Sequence, residues 1–343
     1  MDEVPEEVRR RIGPLACAAG VDCDVAEVRR LLDSGTSARD PVALHVAAEH
    51  GTTGCLRLLL ERGADPDDAT RGPVLHRVLD LCYRRPVLDL LLEHGADAEL
   101  RFGPLAETPL HVAVRRRRNN AVDVLAEHGV DLDARTKGGK TAYAHAVCRG
   151  FTEVAENLAR RGADRTLAPA QELCVALVAG DLEGARARLA QDPDLVRSMG
   201  PEDARILPDL AGRPGAVPAL ELLLDAGCPI DARGLDGGTA LHNAAWFAAP
   251  ESARFLIERG APLDLPCEDH CGTALCWVAH GSRYSGGAEE NVESYVAIAE
   301  MLCAAGASLA DAWDPEGDPH GRRLLQDAVP RVREVLERHG ACA

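Results

Sequence analysis

A short phrase ending in glycine recurs along this chain, and no other feature limits its possible folds as strongly. It reads LLERGADPD at 59–67, LLEHGADAE at 91–99, LAEHGVDLD at 125–133, LARRGADRT at 158–166 and LIERGAPLD at 256–264. Weaker copies are LLDSGTSAR (31–39), LLDAGCPID (223–231) and LCAAGASLA (302–310). A second phrase precedes it: ALHVAAEHG at 43–51, PLHVAVRRR at 109–117, AYAHAVCRG at 142–150 and ALHNAAWFA at 240–248. The step from Leu44 to Gly63, Leu110 to Gly129, Tyr143 to Gly162 and Leu241 to Gly260 is 19 residues, and from Leu15 to Gly35, Leu75 to Gly95 and Leu207 to Gly227 it is 20. Self-similarity at a period of about 33 residues means stacked like units, none able to bury its apolar face alone.

Each repeat reads as a pair of helices. The first opens at Thr108-Pro109, Thr141-Ala142, Thr239-Ala240 or Thr273-Ala274. Threonine can cap the orphan amides there, and proline suits the first helical position. The second helix carries apolar residues at helical spacing, as in Leu56, Leu59 and Leu60. It stops at a glycine able to take the left-handed C′ conformation, and the following Ala-Asp-x-Asp is turn chemistry. No segment alternates as a strand would, so an all-α stack without a continuous sheet is expected.

These residues resemble the ankyrin repeat, whose T-P-L-H-x-A signature stands intact at Thr108-Pro109-Leu110-His111-Val112-Ala113. Partial copies are Ala43-Leu44-His45-Val46-Ala47 and Thr239-Ala240-Leu241-His242-Asn243-Ala244. The resemblance covers roughly residues 11–340. It implies a single all-α solenoid over 1–343: a tail at 1–10, about nine repeats over 11–311 and a C-terminal capping unit at 312–343. It also implies that first helices and β-turn fingers line a concave groove. Three departures stand out. The repeat near 169–200 reads LAQDPDLV where glycine should end it, and the next carries Pro208, Pro214 and Pro218, which should distort its first helix. In the ninth, Leu275 to Gly306 spans 31 residues, and the surplus falls in HGSRYSGGAEENVE, read as a loop inserted near 281–292. Val332, Val335 and Leu336 fit a capping helix.

Composition narrows the function. With 55 acids against 38 bases the net charge is −17, which repels nucleic acid and anionic membranes and favours a basic partner. No run of about 20 apolar residues is present, as a membrane span would need. The opening MDEVPEEVRRRIG has no apolar core of a secretory signal, so a cytoplasmic monomer with reduced, mostly buried cysteines is expected. There is no G-x-x-x-x-G-K-[ST], G-x-G-x-x-G or G-x-S-x-G; Lys137-Gly138-Gly139-Lys140 reads as a β-turn finger. His45, His76, His111 and His242 follow the first-helix leucine and should be neutral, hydrogen-bonded structural groups. His94, His128 and His339 precede the terminal glycine, where an imidazole suits a helix C-terminus.

Two sets of residues stand outside this pattern. Cys267, His270, Cys271, Cys276 and His280 fall within fourteen positions. They could hold zinc or a reactive thiol, although their order fits no standard finger and Cys276 occupies a slot that histidine holds elsewhere. A second set follows from register. Residues two and five after the first-helix leucine should face the groove: Val46 and Glu49, Arg77 and Asp80, Val112 and Arg115, His145 and Cys148, Val175 and Val178, Asn243 and Trp246, Trp277 and His280. Two of the three tryptophans therefore fall on adjacent repeats. With Tyr284 beside them, Asn243, Trp246, Trp277 and His280 form the candidate partner-binding site, since tryptophan is enriched in binding hot spots. The competing reading packs both indoles against the inserted loop. The sequence thus points to a scaffold for a protein or peptide, with no cofactor, no resident metal and no catalytic residue. The rival is an enzyme or metal-binding protein built on 267–280.

Overall fold

The computed structural model describes residues 13–81, 83–234, 237–268, 271–309 and 322–341. The expected tail at 1–10, His270 and residues 312–321 of the expected capping unit lie outside the described residues. The chain divides into an N-terminal unit, Met1–Thr166, and a C-terminal unit, Leu167–Ala343.

In the N-terminal unit, α1 (Pro14–Ala16) runs on as a π-helical turn, Cys17–Val21, before α2 (Val25–Asp33). The regular pairs follow: α3 (Pro41–His50) with α4 (Thr53–Glu61), α5 (Val74–Leu81) with α6 (Arg85–Glu93), α7 (Pro109–Arg115) with α8 (Asn119–Glu127), and α9 (Ala142–Cys148) with α10 (Thr152–Arg160). The apolar stripes face inward: Leu56, Leu59, Leu88, Leu91, Val122 and Leu125 are fully buried. Each such side chain contributes about 1.5–3 kcal/mol. Among the described residues there is no strand, only isolated bridges such as Phe102 with Glu107 and Arg135 with Thr141 at the fingers. Lys137–Lys140 is one of these fingers, closed by the Thr136 amide on the Lys140 carbonyl at 2.9 Å.

Some of the turn acids have a structural task. Asp67 accepts the Asp97 amide at 2.8 Å, Glu99 the Asp131 amide at 2.6 Å, and Asp133 the Asp164 amide at 2.7 Å. Each turn acid thus staples its repeat to the next by satisfying a backbone donor.

The histidines tie repeats together in the same way. The Thr108 amide and hydroxyl both lie against His111 Nδ1, at 3.4 and 2.8 Å. With Nδ1 accepting, Nε2 carries the proton and donates to the Lys140 carbonyl of the next repeat at 3.1 Å. His76 reaches the Glu107 carbonyl at 2.9 Å, whereas His45 meets a carboxylate, Asp68, at 3.3 Å. Burial holds His111 down at about 4, so it is neutral at physiological pH.

The C-terminal unit begins with α11 (Pro169–Val178) and α12 (Leu182–Gln191), which ends at an extended Asp192 in place of a left-handed glycine. The proline-bearing repeat has a broken first helix, α13 (Pro201–Ala204) and α14 (Ile206–Ala211), before α15 (Val217–Asp225). Regular geometry returns with α16 (Ala240–Trp246) and α17 (Pro250–Glu258), then α18 (Ala274–Tyr284) and α19 (Val292–Ala304). Last come α20 (Arg322–Asp327) and α21 (Pro330–Arg338), which buries Val332, Val335 and Leu336 as a capping helix should.

The ninth repeat corrects the expectation of a loop over 281–292. Helix α18 continues through Tyr284, and only 285–291 separate it from α19. Compared with α16 and α17, of 7 and 9 residues, α18 and α19 have 11 and 13. Four residues added to each helix and four to the turn account for the surplus of twelve. Four residues are close to one helical turn, so the apolar phase is kept and the hairpin simply grows taller. Tyr295, 1% exposed, locks the extension by donating to the Trp246 carbonyl at 2.6 Å. Gly281 permits the approach: a Cβ there would lie 3.2 Å from that same oxygen.

Candidate functional site

The added turn of α18 completes a row of rings on the C-terminal unit. His242 and Trp277 meet edge to face at 5.3 Å, Trp277 and Trp246 at 5.9 Å. Trp246 stacks on His280 at 5.9 Å, and His280 lies 4.4 Å from Tyr284. Helical geometry explains the order. Trp277, His280 and Tyr284 are spaced i, i+3, i+7 on α18, one face of a helix, while Trp246 ends α16 beside them. Aromatic pairs of this kind contribute about 0.5–1.5 kcal/mol each beyond their buried area.

The row grades from core to surface. His242 is fully buried, capped by the Thr239 amide at 3.1 Å and donating to the Gly272 carbonyl at 3.1 Å. Burial lowers its pKa to about 4. Trp277 is 9% exposed and lies on Gly238, where a Cβ would come 3.1 Å from the indole. This indole is a packing residue that supports the row. Trp246 and His280 are half-buried, and Tyr284 is 56% exposed. Asn243 is engaged within the fold, donating to the Pro208 carbonyl at 2.9 Å, one of the last-turn carbonyls of the short α14.

Three residues that register reasoning did not single out belong to the site. Phe247, 58% exposed, packs against Gly212 at the end of α14. Tyr295 fixes the Trp246 carbonyl from below. Asp327, on α20, sits 3.6 Å from His280 Nδ1, while Arg283 donates to the Ala328 carbonyl at 3.3 Å and the Val329 amide to Ser282 at 3.2 Å. The C-terminal helices thereby brace the tall hairpin. Phe247 follows Trp246 directly in sequence and could have been read as part of the patch. Tyr295 sits in an apolar stripe that looks like any core helix.

The described members of the Cys/His cluster have separate surroundings, and His270 lies outside the described residues. Cys276 is buried, with the Thr273 hydroxyl 3.4 Å from its sulfur, and so replaces the capping histidine of sister repeats. Cys267 is buried, Cys271 is exposed, and His280 belongs to the ring row. Among the described residues no three His, Cys, Asp or Glu side chains converge as a metal site would need. Burial also raises the thiols of Cys55 and Cys303 to about 11 and Cys228 to about 12, away from the thiolate form that reacts. Among the described residues no helix is long and apolar enough to cross a membrane.

Family models described as ankyrin repeats match residues 42–71, 75–168 and 209–257, together just over half of the chain. Among curated proteins, the mouse B-cell lymphoma 3 protein homolog is 32% identical over 157 residues, covering 41% of this chain and 34% of its own length. The human ankyrin repeat and SOCS box protein 16 is 34% identical over 169 residues, covering 45% of this chain and 37% of its own length. The human ankyrin repeat and SOCS box protein 18 is 33% identical over 136 residues, covering 30% and 29%. The chain thus spans about a third of the length of these relatives. Repeat spacing, capping histidines and family matches agree: the chain belongs to the ankyrin-repeat family.

Proposed function

We propose that the chain is a protein-binding scaffold that grips a peptide segment of a partner on the ring row of its C-terminal unit. One observation carries this reading: Trp246, His280, Tyr284 and Phe247 leave ring surface in solvent, while the buried Trp277 and Tyr295 fix Trp246 and its carbonyl from beneath. Rigid, partly exposed aromatics give contact area at little entropic cost, the character of interface hot spots. Asn243 and Trp277 act beneath that surface, positioning the helices and indole above them. The net charge of −17 favours a partner segment rich in basic side chains. The Cys/His chemistry of 267–280 has no comparable support, since Cys276 is engaged as a cap and His280 as a ring.

Selecting a random-peptide library against the immobilised full chain tests the proposal. Peptides retained by the wild type should lose about 2 kcal/mol or more of binding to Trp246→Ala/Tyr284→Ala. Equal binding to that variant, at unchanged fold stability, removes the ring row as the docking surface.

A further inference from the structure

The turn joining α7 to α8 belongs to a run of four arginines, 115–118, in a chain that is otherwise strongly acidic. Three of them are held by the fold. Arg115 and Arg116 both reach Asp80, at 3.0 and 2.7 Å. Arg118 donates to the Asp80 carbonyl at 3.2 Å and lies 5.7 Å from the centre of the Tyr83 ring. Arg117 is different. It is exposed and has no carboxylate partner among the described residues. Its guanidinium lies over Phe151, 5.0 Å from the ring centre, and Arg149 lies 5.5 Å from the same centre.

The backbone at Arg117 has φ +54, a region that penalises any side chain with a Cβ. Sister repeats use glycine at this position, seven residues after the first-helix Leu or Tyr: Gly51, Gly150 and Gly180 have φ of +75, +72 and +76. Ala248, which also stands at this position without being glycine, has φ +53. An arginine therefore stands where glycine would satisfy the turn without strain.

Beside it opens a cavity of about 400 Å³ lined by Arg117, Phe151, Thr152, Glu153 and Val154. We propose that this notch docks an acidic peptide segment of a partner protein, a surface separate from the ring row. A carboxylate of the segment pairs with the Arg117 guanidinium, whose planar fork suits two parallel hydrogen bonds, while apolar atoms next to it lie on Phe151. The complementarity is local: the rest of the chain repels an acidic segment, so only a notch whose arginine has no internal acid can hold one. Glu153, exposed at the rim, is the one carboxylate in the lining and opposes binding.

The test uses the full chain and a fluorescein-labelled peptide of alternating Glu and Leu at low salt, beside its Gln/Leu counterpart. The Glu peptide should bind, the Gln peptide should not, and Glu153→Gln should tighten the complex. Arg117→Gly should weaken it about tenfold or more, while its melting temperature stays equal or rises because glycine relieves the turn. That combination separates lost recognition from lost folding. Equal binding of the two peptides, or a Glu peptide indifferent to Arg117→Gly, overturns the proposal. So does a phosphoserine peptide that binds where the Glu peptide does not, which would mark a phosphate site instead.

Discussion

The first helices of the two units carry the same register positions, and neighbouring repeats in each fill several of them with contrasting chemistry. In the N-terminal unit four of the positions two and five after the leucine or tyrosine are ions, and they pair with one another: Glu49 with Arg77, and Asp80 with Arg115, all only part-exposed; Val46, Val112, His145 and Cys148 fill the rest. In the C-terminal unit, past Val175 and Val178, the two adjacent regular repeats carry Asn243, Trp246, Trp277 and His280, and three of these four are rings in mutual contact. Each ionic position finds its partner on the neighbouring repeat and is thereby used up. The rings also pair across repeats, but stacking engages one face or edge and leaves the remainder in water. Register thus decides where a side chain points, whereas the chemistry of the next repeat decides whether anything is left for a partner.

The largest expected effect separates support from surface. Trp277→Ala should cost about 3–5 kcal/mol in denaturant unfolding, as for other buried aromatics; a loss below about 1 kcal/mol would place this indole outside the core. Next come the capping imidazoles, which are alike in the two units. The unfolded histidine titrates near 6.5 and the folded His111 and His242 near 4, so the unfolded chain binds more protons between those values. Their contribution is therefore complete above about pH 6.5 and is lost as pH falls towards 4, about 3 kcal/mol each. NMR titration should find both rings neutral at pH 5.5; a midpoint near 6.5 for either would contradict the capping geometry. Tyr295→Phe should cost about 1–2 kcal/mol by orphaning the Trp246 carbonyl, and an unchanged melting curve would mean that the extended hairpin is not locked there. Smallest is Glu49→Gln, about 0.5–1 kcal/mol at low salt and nothing in about 1 M salt. A loss that persists in high salt would show that the ionic face is held by more than charge.

Most of the fold was legible because capping and C′ glycine signals are local. Thr108, Thr239 and Gly63 announce helix ends wherever they occur. The ninth repeat misleads for the same reason: Ser282, Ser285, Gly286 and Gly287 look like loop chemistry, and only packing against Tyr295 and the C-terminal helices carries α18 through Tyr284. The site was legible in part. Register put Trp246, Trp277 and His280 together, but the division between a buried Trp277 and a half-buried Trp246 depends on Gly238, which comes from a finger almost forty positions earlier in the chain. Asn243 could not be assigned to Pro208 without knowing that this repeat's first helix is split and that its second piece, α14, stops at Ala211.

If the face built of rings, and not the face built of ions, receives the partner, the two faces should differ in hydrogen exchange when a ligand is bound. Exchange on the full chain, with and without the tightest peptide from the library selection, measures this directly. Slowed exchange is expected at the end of α16, along the last turn of α18 and in the 285–291 turn, with α5 and α7 unchanged. Protection along α5 and α7 with none at α16 and α18 would contradict it.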